Sequence, residues 1–172
     1  MHPISARIKK SVFDILRPRL EGARFLDLYA GTGAVGLEAL SRGAASAFFV
    51  DRDKRCLAVI EENMKRLDLS GKGKACYGDI LQDLSWIAFR AGAPEFDLIY
   101  MGPPYRDADN RMLAYSTPTL ARVAEANLLA PGGWALLQRY KKEKVALPPG
   151  LERFREERYG DTDVEFLRRP AP

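Results

Sequence analysis

Four places in this 172-residue chain hold residue types that could do chemistry. Asp27 stands four residues before Gly31 in Asp27-Leu28-Tyr29-Ala30-Gly31-Thr32-Gly33-Ala34-Val35-Gly36. Gly31 and Gly33 let the backbone turn tightly and leave no side chain between it and a ligand. Their spacing also matches the G-x-G-x-x-G dinucleotide fingerprint, a weak signal by itself. An anion at Asp27 would meet a pyrophosphate unfavourably, whereas it suits a ligand that carries an ammonium group. Asp51, 24 residues after Asp27, is the kind of carboxylate that accepts both hydroxyls of a ribose. Asp79 could accept from an adenine amino group, with amides near Ile80 reaching the ring nitrogens. Gly102-Pro103-Pro104-Tyr105 is the fourth place. The three aspartates also have a purely structural reading. Asp27 would satisfy loop amides, Asp51 would end a strand, and Asp79 would cap a helix.

The elements around these residues read as strands and helices in alternation. Residues 25–29 are a short apolar run, as a strand buried in a parallel sheet should be. A helix follows to about Ser41, with Gly43 as its C-terminal cap. Residues 47–50 form a second strand ending at Asp51, and a helix over 53–67 turns Leu57, Ile60, Met64 and Leu67 to one face. A weaker strand at 74–77 runs into Gly78-Asp79-Ile80. A helix with Leu81, Leu84, Ile87 and Ala88 follows, broken by Gly92 and Pro94. Residues 96–101 are the fourth strand. Thr117-Pro118 caps and starts a helix whose inner face is Leu120, Val123, Ala124 and Leu128. Pro131-Gly132-Gly133 is a turn before a fifth strand at 134–137. Before all of these, Ser5 caps a helix with Ile8, Val12, Phe13, Ile15 and Leu16 on its apolar face, limited by Pro18. No flexible or targeting leader is expected before it.

The end of the chain departs from this alternation. Segments 151–159 and 164–167, joined at Gly160-Asp161, read as a hairpin. The expected architecture is α/β, Rossmann-like: a mostly parallel seven-stranded sheet with a C-terminal antiparallel hairpin. One domain spans 1–172, with a basic helix at 1–20, a ligand-binding core at 24–140 and the hairpin at 150–169. In such sheets ligands bind beyond the carboxyl ends of the strands, where Asp27, Asp51, Asp79 and Gly102 all fall.

Composition excludes several classes. Hydrophobic residues make 47% and charged residues 29%, which is ordinary for a globular domain. Two cysteines, Cys56 and Cys76, and one histidine, His2, argue against a metal site, a disulfide framework and a histidine-based triad. No apolar run is long enough for a membrane helix, and the cytoplasm is the expected compartment. The net charge of +4 allows a nucleic-acid partner without requiring one. Basic residues concentrate at Arg7, Lys9, Lys10, Arg17, Arg19 and Arg24, and again at Arg139, Lys141, Lys142 and Lys144. Taken alone, either cluster could be a solvated face.

With these residues in view, the chain resembles the class I S-adenosylmethionine-dependent methyltransferases over nearly its whole length. Residues 96–105 resemble the Asp/Asn-Pro-Pro-Tyr motif of amino methyltransferases. The opening Pro3-Ile4-Ser5-Ala6-Arg7-Ile8-Lys9-Lys10-Ser11-Val12-Phe13-Asp14-Ile15-Leu16, and the glycine loop with Gly36-Leu37-Glu38-Ala39-Leu40-Ser41-Arg42-Gly43-Ala44, resemble one branch. That branch is the bacterial 16S rRNA guanine-N2-methyltransferases. Its members usually begin with a further basic hairpin, which this sequence does not show.

The resemblance implies S-adenosylmethionine held by Asp27, Tyr29, Gly31, Thr32, Gly33, Asp51, Arg52, Asp79 and Ile80, leaving S-adenosylhomocysteine as product. It implies transfer at Gly102, Pro103, Pro104 and Tyr105. It implies 16S rRNA or the assembling small subunit gripped by Arg7, Lys9, Lys10, Arg106, Lys141 and Lys142. No metal is expected, and a monomer is expected because nothing in the pattern demands a partner chain. In the family pattern the Asp/Asn side chain and the first proline's carbonyl accept the N–H groups of an exocyclic amine, whose lone pair is then aimed at the methyl group. Tyr105 would stack on the base, which must be unpaired or flipped out to arrive.

Position 102 is Gly, so the side-chain acceptor is gone. Losing one positioned group of this kind commonly costs roughly 10² to 10³ in rate. Water, Asp107 or Asp109 could substitute, or the chain could be slow or inactive. Other readings are the same fold acting on DNA adenine or protein glutamine, a non-catalytic binder of S-adenosylmethionine or RNA, and a nicotinamide dehydrogenase. Asp27 and Pro103-Pro104-Tyr105 argue against the last.

Overall fold

A computed structural model describes residues 4–171 of the chain. Pro3, the first residue of the opening signature, and His2 lie outside the described residues. The elements in chain order are α1 (Ala6–Leu20), β1 (Arg24–Leu28), α2 (Ala34–Ser41), β2 (Ser46–Asp51), α3 (Lys54–Arg66), β3 (Gly73–Tyr77), α4 (Trp86–Ala91), β4 (Phe96–Met101), α5 (Ser116–Glu125), β5 (Leu129–Tyr140), β6 (Glu152–Tyr159) and β7 (Thr162–Arg168). The strands form one seven-stranded sheet in the order β3-β2-β1-β4-β5-β7-β6. β1 to β5 run parallel, and β7 is antiparallel to both β5 and β6. The α/β architecture with a terminal antiparallel hairpin is therefore the observed one.

The central strands are apolar on both faces because helices cover both. Phe25, Leu98 and Leu136 face α1 and α2, while Leu26, Ile99 and Leu137 face α4 and α5. α1 packs through Ile8, Val12, Phe13, Leu16 and Leu20, at helical spacing. Ser5 caps it, its hydroxyl accepting from the Ile8 N–H at 3.2 Å. Pro18 does not limit this helix. It lies exposed inside the last turn, and buried Leu20 holds that turn against the sheet.

Four further expectations need correction. The helix expected from Leu81 begins only at Trp86. The Asp79 side chain takes the Leu81 N–H at 3.0 Å, and Asp83 takes the Ser85 N–H and hydroxyl, so side chains compete with helical bonding there. Asp79 thus holds a turn and caps no helix. Leu67 is the C-cap residue of α3 and is 52% exposed, with Leu69 packing on the core in its place. Pro131-Gly132-Gly133 does not separate two elements but bulges inside β5. Pairing jumps from Phe96 with Leu129 to Leu98 with Trp134, and Gly132 takes φ of 78°. α5 begins at Ser116, and its N–H and hydroxyl donate to the Glu143 carboxylate at 3.0 and 2.9 Å. Thr117 instead accepts the Ala146 N–H.

Gly36 tests the tightness of the layer between α2 and β2. A Cβ there would collide with the Phe49 ring, which is itself fully buried. Gly36→Ala should lower stability by about 1–3 kcal/mol in chemical denaturation despite alanine's better helix propensity. An unchanged midpoint would show that the layer has room.

Candidate active site

β1 ends where its backbone must leave the sheet, and Tyr29 there takes φ of 60°, with its hydroxyl 2.7 Å from the Thr119 hydroxyl. Gly31 and Gly33 follow at φ of 57° and 85°, in the left-handed region that side chains disfavour. The loop is tied down by the two strand-end carboxylates. Asp27 Oδ2 accepts the Gly36 N–H at 3.0 Å, in the first turn of α2. Asp51 accepts the Gly31 N–H at 2.9 Å on Oδ2 and the Asp53 N–H at 2.8 Å on Oδ1. Both carboxylates therefore satisfy loop amides.

Both also face open space. One cavity of about 200 Å³ is bordered by Asp51, Arg52, Asp79, Ile80, Pro104 and Tyr115. A second, of about 180 Å³, is bordered by Asp27, Gly31, Thr32, Ile4, Tyr100 and Gln138. Tyr29 and Gly102 line both cavities. The two spaces thus adjoin along the carboxyl rim of the sheet, with Tyr29 and Gly102 on the wall they share. Asp27 is 1% exposed. Burial pushes its carboxyl up to about 8, aided by the nearby Asp51 charge and opposed by the Gly36 hydrogen bond.

The expected residues do not all line these cavities. Gly33 is buried beneath the turn, where Ile60 leaves little room for a side chain, so it shapes the loop without lining either cavity. Gly102 and Pro104 line the cleft, whereas Pro103 and Tyr105 are buried. Tyr105 presents no open face for stacking in this structure. It is 7% exposed, its hydroxyl accepts from Gln138 Nε2 at 3.2 Å and donates to Thr162 at 3.3 Å, and its ring lies 6.3 Å from that of Tyr140. The aromatic residues that do line the cavities are Tyr29, Tyr100 and Tyr115.

Asp107 spends its carboxylate on the N–H groups of Asp109 and Arg111 within its own loop, and Asp109 is exposed. Neither borders the cleft. Tyr100, Gln138 and Tyr115 escaped sequence reasoning, since only strand register and loop closure bring them to the rim.

None of the expected basic residues of the RNA grip lines either cavity. Arg7, Lys10, Arg106 and Lys142 are exposed. Lys9 pairs with Glu38 at 3.4 Å, Lys10 with Asp14 at 3.0 Å and Lys141 with Asp161 at 2.9 Å. Arg106 lies over the Tyr140 ring. Arg139 is the exception within its cluster. It is 7% exposed, and Nη1 donates to the carbonyls of Tyr140, Lys141 and Glu143, each at 3.1 Å. Its guanidinium also faces Asp163 and Glu165 at 3.4 and 3.5 Å. It builds, from inside, the loop that carries Lys141 and Lys142.

This chain is similar to several described proteins. The family described as conserved hypothetical protein 95 matches residues 1–168. A Bacillus subtilis protein named as a candidate rRNA methyltransferase is 30% identical over 168 residues, covering 97% of this chain and 87% of its own. Ribosomal RNA small subunit methyltransferase D of Escherichia coli is 27% identical over 177 residues, covering 96% and 84%. A solved Escherichia coli structure titled as a candidate methyltransferase superposes with a TM-score of 0.80 at 24% identity, covering 100% and 89%. At that identity the likeness shows the fold alone.

The state of Asp27 has a measurable consequence. In the ligand-free chain the folded state keeps its proton up to about pH 8, while the unfolded state releases it near 3.8. Between those values folding retains a proton, so stability falls as pH rises, at up to about 1.4 kcal/mol per pH unit from this group. Asp27→Asn removes that slope. Denaturation midpoints from pH 5 to 8 should fall for the wild type relative to Asp27→Asn, and parallel curves would contradict the burial argument.

Proposed function

The chain belongs to the family of conserved hypothetical protein 95, and from that premise we propose that it transfers a methyl group from S-adenosylmethionine to the exocyclic N2 of a guanine in small-subunit ribosomal RNA. S-adenosylmethionine-dependent methylation of ribosomal RNA is the activity; the guanine and its N2 atom are the finer reading. The observation that carries the reading is the pair of adjoining cavities at the strand ends, with Gly102 on the wall they share.

The residues present fit the methyl donor. Asp27, a buried carboxyl pushed up to about 8, gains from meeting a cation, and it holds the ammonium end. Asp51 accepts the ribose hydroxyls on its lone pairs beyond the loop amides. Asp79 and Ile80 border the purine space beside Tyr115. When bound, the donor supplies an electrophilic methyl group on a sulfonium, which asks the protein for positioning more than for a strong base. Gly102-Pro103-Pro104 brings the backbone against the methyl position from the adjoining strand.

The exposed cations form the RNA grip. Arg7 and Lys10 border an open groove with Arg155 of β6, while Arg106 and Lys142 flank the ends of β4 and β5. The whole chain works as one monomeric domain in the cytoplasm, where ribosomal subunits assemble. Among the described residues no helix is long and apolar enough to cross a membrane.

Labelled methyl from S-adenosylmethionine should enter one guanine when the chain is mixed with small subunits lacking their native guanine methylations, and not DNA. Label in adenine, or in a protein glutamine, would replace the substrate reading. Asp51→Ala should weaken cofactor binding roughly tenfold or more in calorimetry, given two lost hydrogen bonds. Unaltered affinity would remove the ribose assignment. RNA affinity should fall steeply between 50 and 200 mM salt, as phosphate contacts release counterions, and Arg7→Ala with Lys142→Ala should flatten that slope. A salt response identical to wild type would take both residues out of the interface.

A further inference from the structure

Resting on the reading above, we infer that Gln138 supplies the hydrogen-bond acceptor that position 102 lacks. The argument starts from strand register. β4 and β5 pair in parallel with Tyr100 opposite Leu136 and Met101 opposite Leu137. The next step along both strands sets Gly102 beside Gln138. Paired residues of parallel strands point to the same face, and Tyr100 and Leu136 belong to the core on the α1 and α2 side. A side chain at 102 and the side chain of Gln138 therefore point to one face, into the cavity that Asp27, Tyr100, Gly102 and Gln138 border.

The space at 102 is already shaped by this substitute. A Cβ on Gly102 would lie 3.2 Å from Tyr100 Cε1, the ring carbon next to the hydroxyl-bearing one. The Tyr100 hydroxyl donates to Gln138 Oε1, and Gln138 Nε2 donates to the Tyr105 hydroxyl at 3.2 Å. Tyr105 in turn donates to Thr162 at 3.3 Å. This chain of bonds locks a carboxamide that is only 4% exposed, and it fixes the amide direction with its oxygen toward Tyr100. A carbonyl oxygen accepts two hydrogen bonds, so Oε1 retains a lone pair for an N–H of the incoming amine.

The transfer needs no more from Gln138 than this. A carbon–nitrogen bond forms at N2 as the methyl carbon leaves sulfur, and the electron pair of the broken bond stays on sulfur. Positive charge passes to N2, which then gives one N–H proton to water. Gln138 keeps its hydrogen bond throughout and neither gains nor loses a proton. It orients the amine's lone pair, as a side chain on the adjoining strand could otherwise do. An amino group on a six-membered purine edge satisfies it; a purine without that group leaves the acceptor unmatched.

Two measurements test this in the full chain. Single-turnover methyl transfer to undermethylated small subunits compares wild type, Gln138→Met, and Gln138→Met with Gly102→Asp. Gln138→Met should slow transfer roughly 10²- to 10³-fold while cofactor affinity stays within about threefold, and adding Gly102→Asp should recover at least tenfold of the loss. A purely structural role would not be rescued across the strand. The second readout is binding of pentanucleotides with a central guanosine or inosine, which differ only in the 2-amino group. Wild type should prefer guanosine by roughly 3- to 10-fold, and Gln138→Met should lose the preference. Tyr100→Phe, which keeps Gln138 but releases its oxygen, should narrow both effects if Gln138→Met does not fold. Transfer by Gln138→Met within threefold of wild type, or an unrescued loss, overturns the acceptor role alone. No label from wild type on any guanine substrate overturns the functional reading together with it.

Discussion

Two carboxylates at the ends of neighbouring strands hold this rim together. Asp27 takes the Gly36 N–H and Asp51 takes those of Gly31 and Asp53, so the turn between β1 and α2 closes on side chains from both strands. The left-handed backbone at Tyr29, Gly31 and Gly33 is tolerable because those bonds over-determine it. The same two groups face the cleft. A carboxylate can serve a loop amide and a ligand at once because each oxygen accepts more than one hydrogen bond. The proposed ligand role of these residues is thus compatible with their structural one. Removing either carboxylate would disturb the loop as well as the cavity wall.

The second half of the site is built from the antiparallel end of the sheet. β7 inserts between β5 and β6, which sets Thr162 near Tyr105 and turns Asp163 and Glu165 toward Arg139. Arg139 then organises the carbonyls of the following loop, and Glu143 from that loop caps α5. α5 carries Thr119, which meets the Tyr29 hydroxyl. A path of ion pairs, hydrogen bonds and helix α5 thus runs from the hairpin back to the glycine turn. Surface cations such as Lys141 and Lys142 sit on a loop whose carbonyls are held from beneath by Arg139. The buried charges act through position: with Arg139 so enclosed, its guanidinium must be met by carbonyls and carboxylates.

Much of this was legible in the residue order. Short apolar runs ending in Asp27, Asp51 and Asp79, with helices between them, force a parallel sheet. A parallel sheet brings every strand's carboxyl end to one edge. The assignment of Asp27, Asp51 and Asp79 to one rim needed no coordinates for that reason. Local competition was less legible. Asp79 and Asp83 draw their own backbone into turns, so α4 starts later than its apolar spacing suggested. Pro131-Gly132-Gly133 reads as a turn in sequence, but pairing to β4 at Leu129 before it and from Trp134 after it keeps β5 continuous around a bulge.

By itself, the sequence determined the layered α/β architecture, the terminal hairpin, the glycine turn and the identity of the rim carboxylates. These follow from short-range pattern: apolar period, glycine positions, and the alternation of strand and helix. Only the tertiary structure decided that Tyr105 is buried, that Arg139 points inward, and that Tyr100 and Gln138 stand beside Gly102. Those facts depend on which strands become neighbours and in what register. Shifting β5 by a single residue would carry Gln138 to the opposite face of the sheet. No pattern within β4 or β5 alone holds that information, because it resides in the pairing between them.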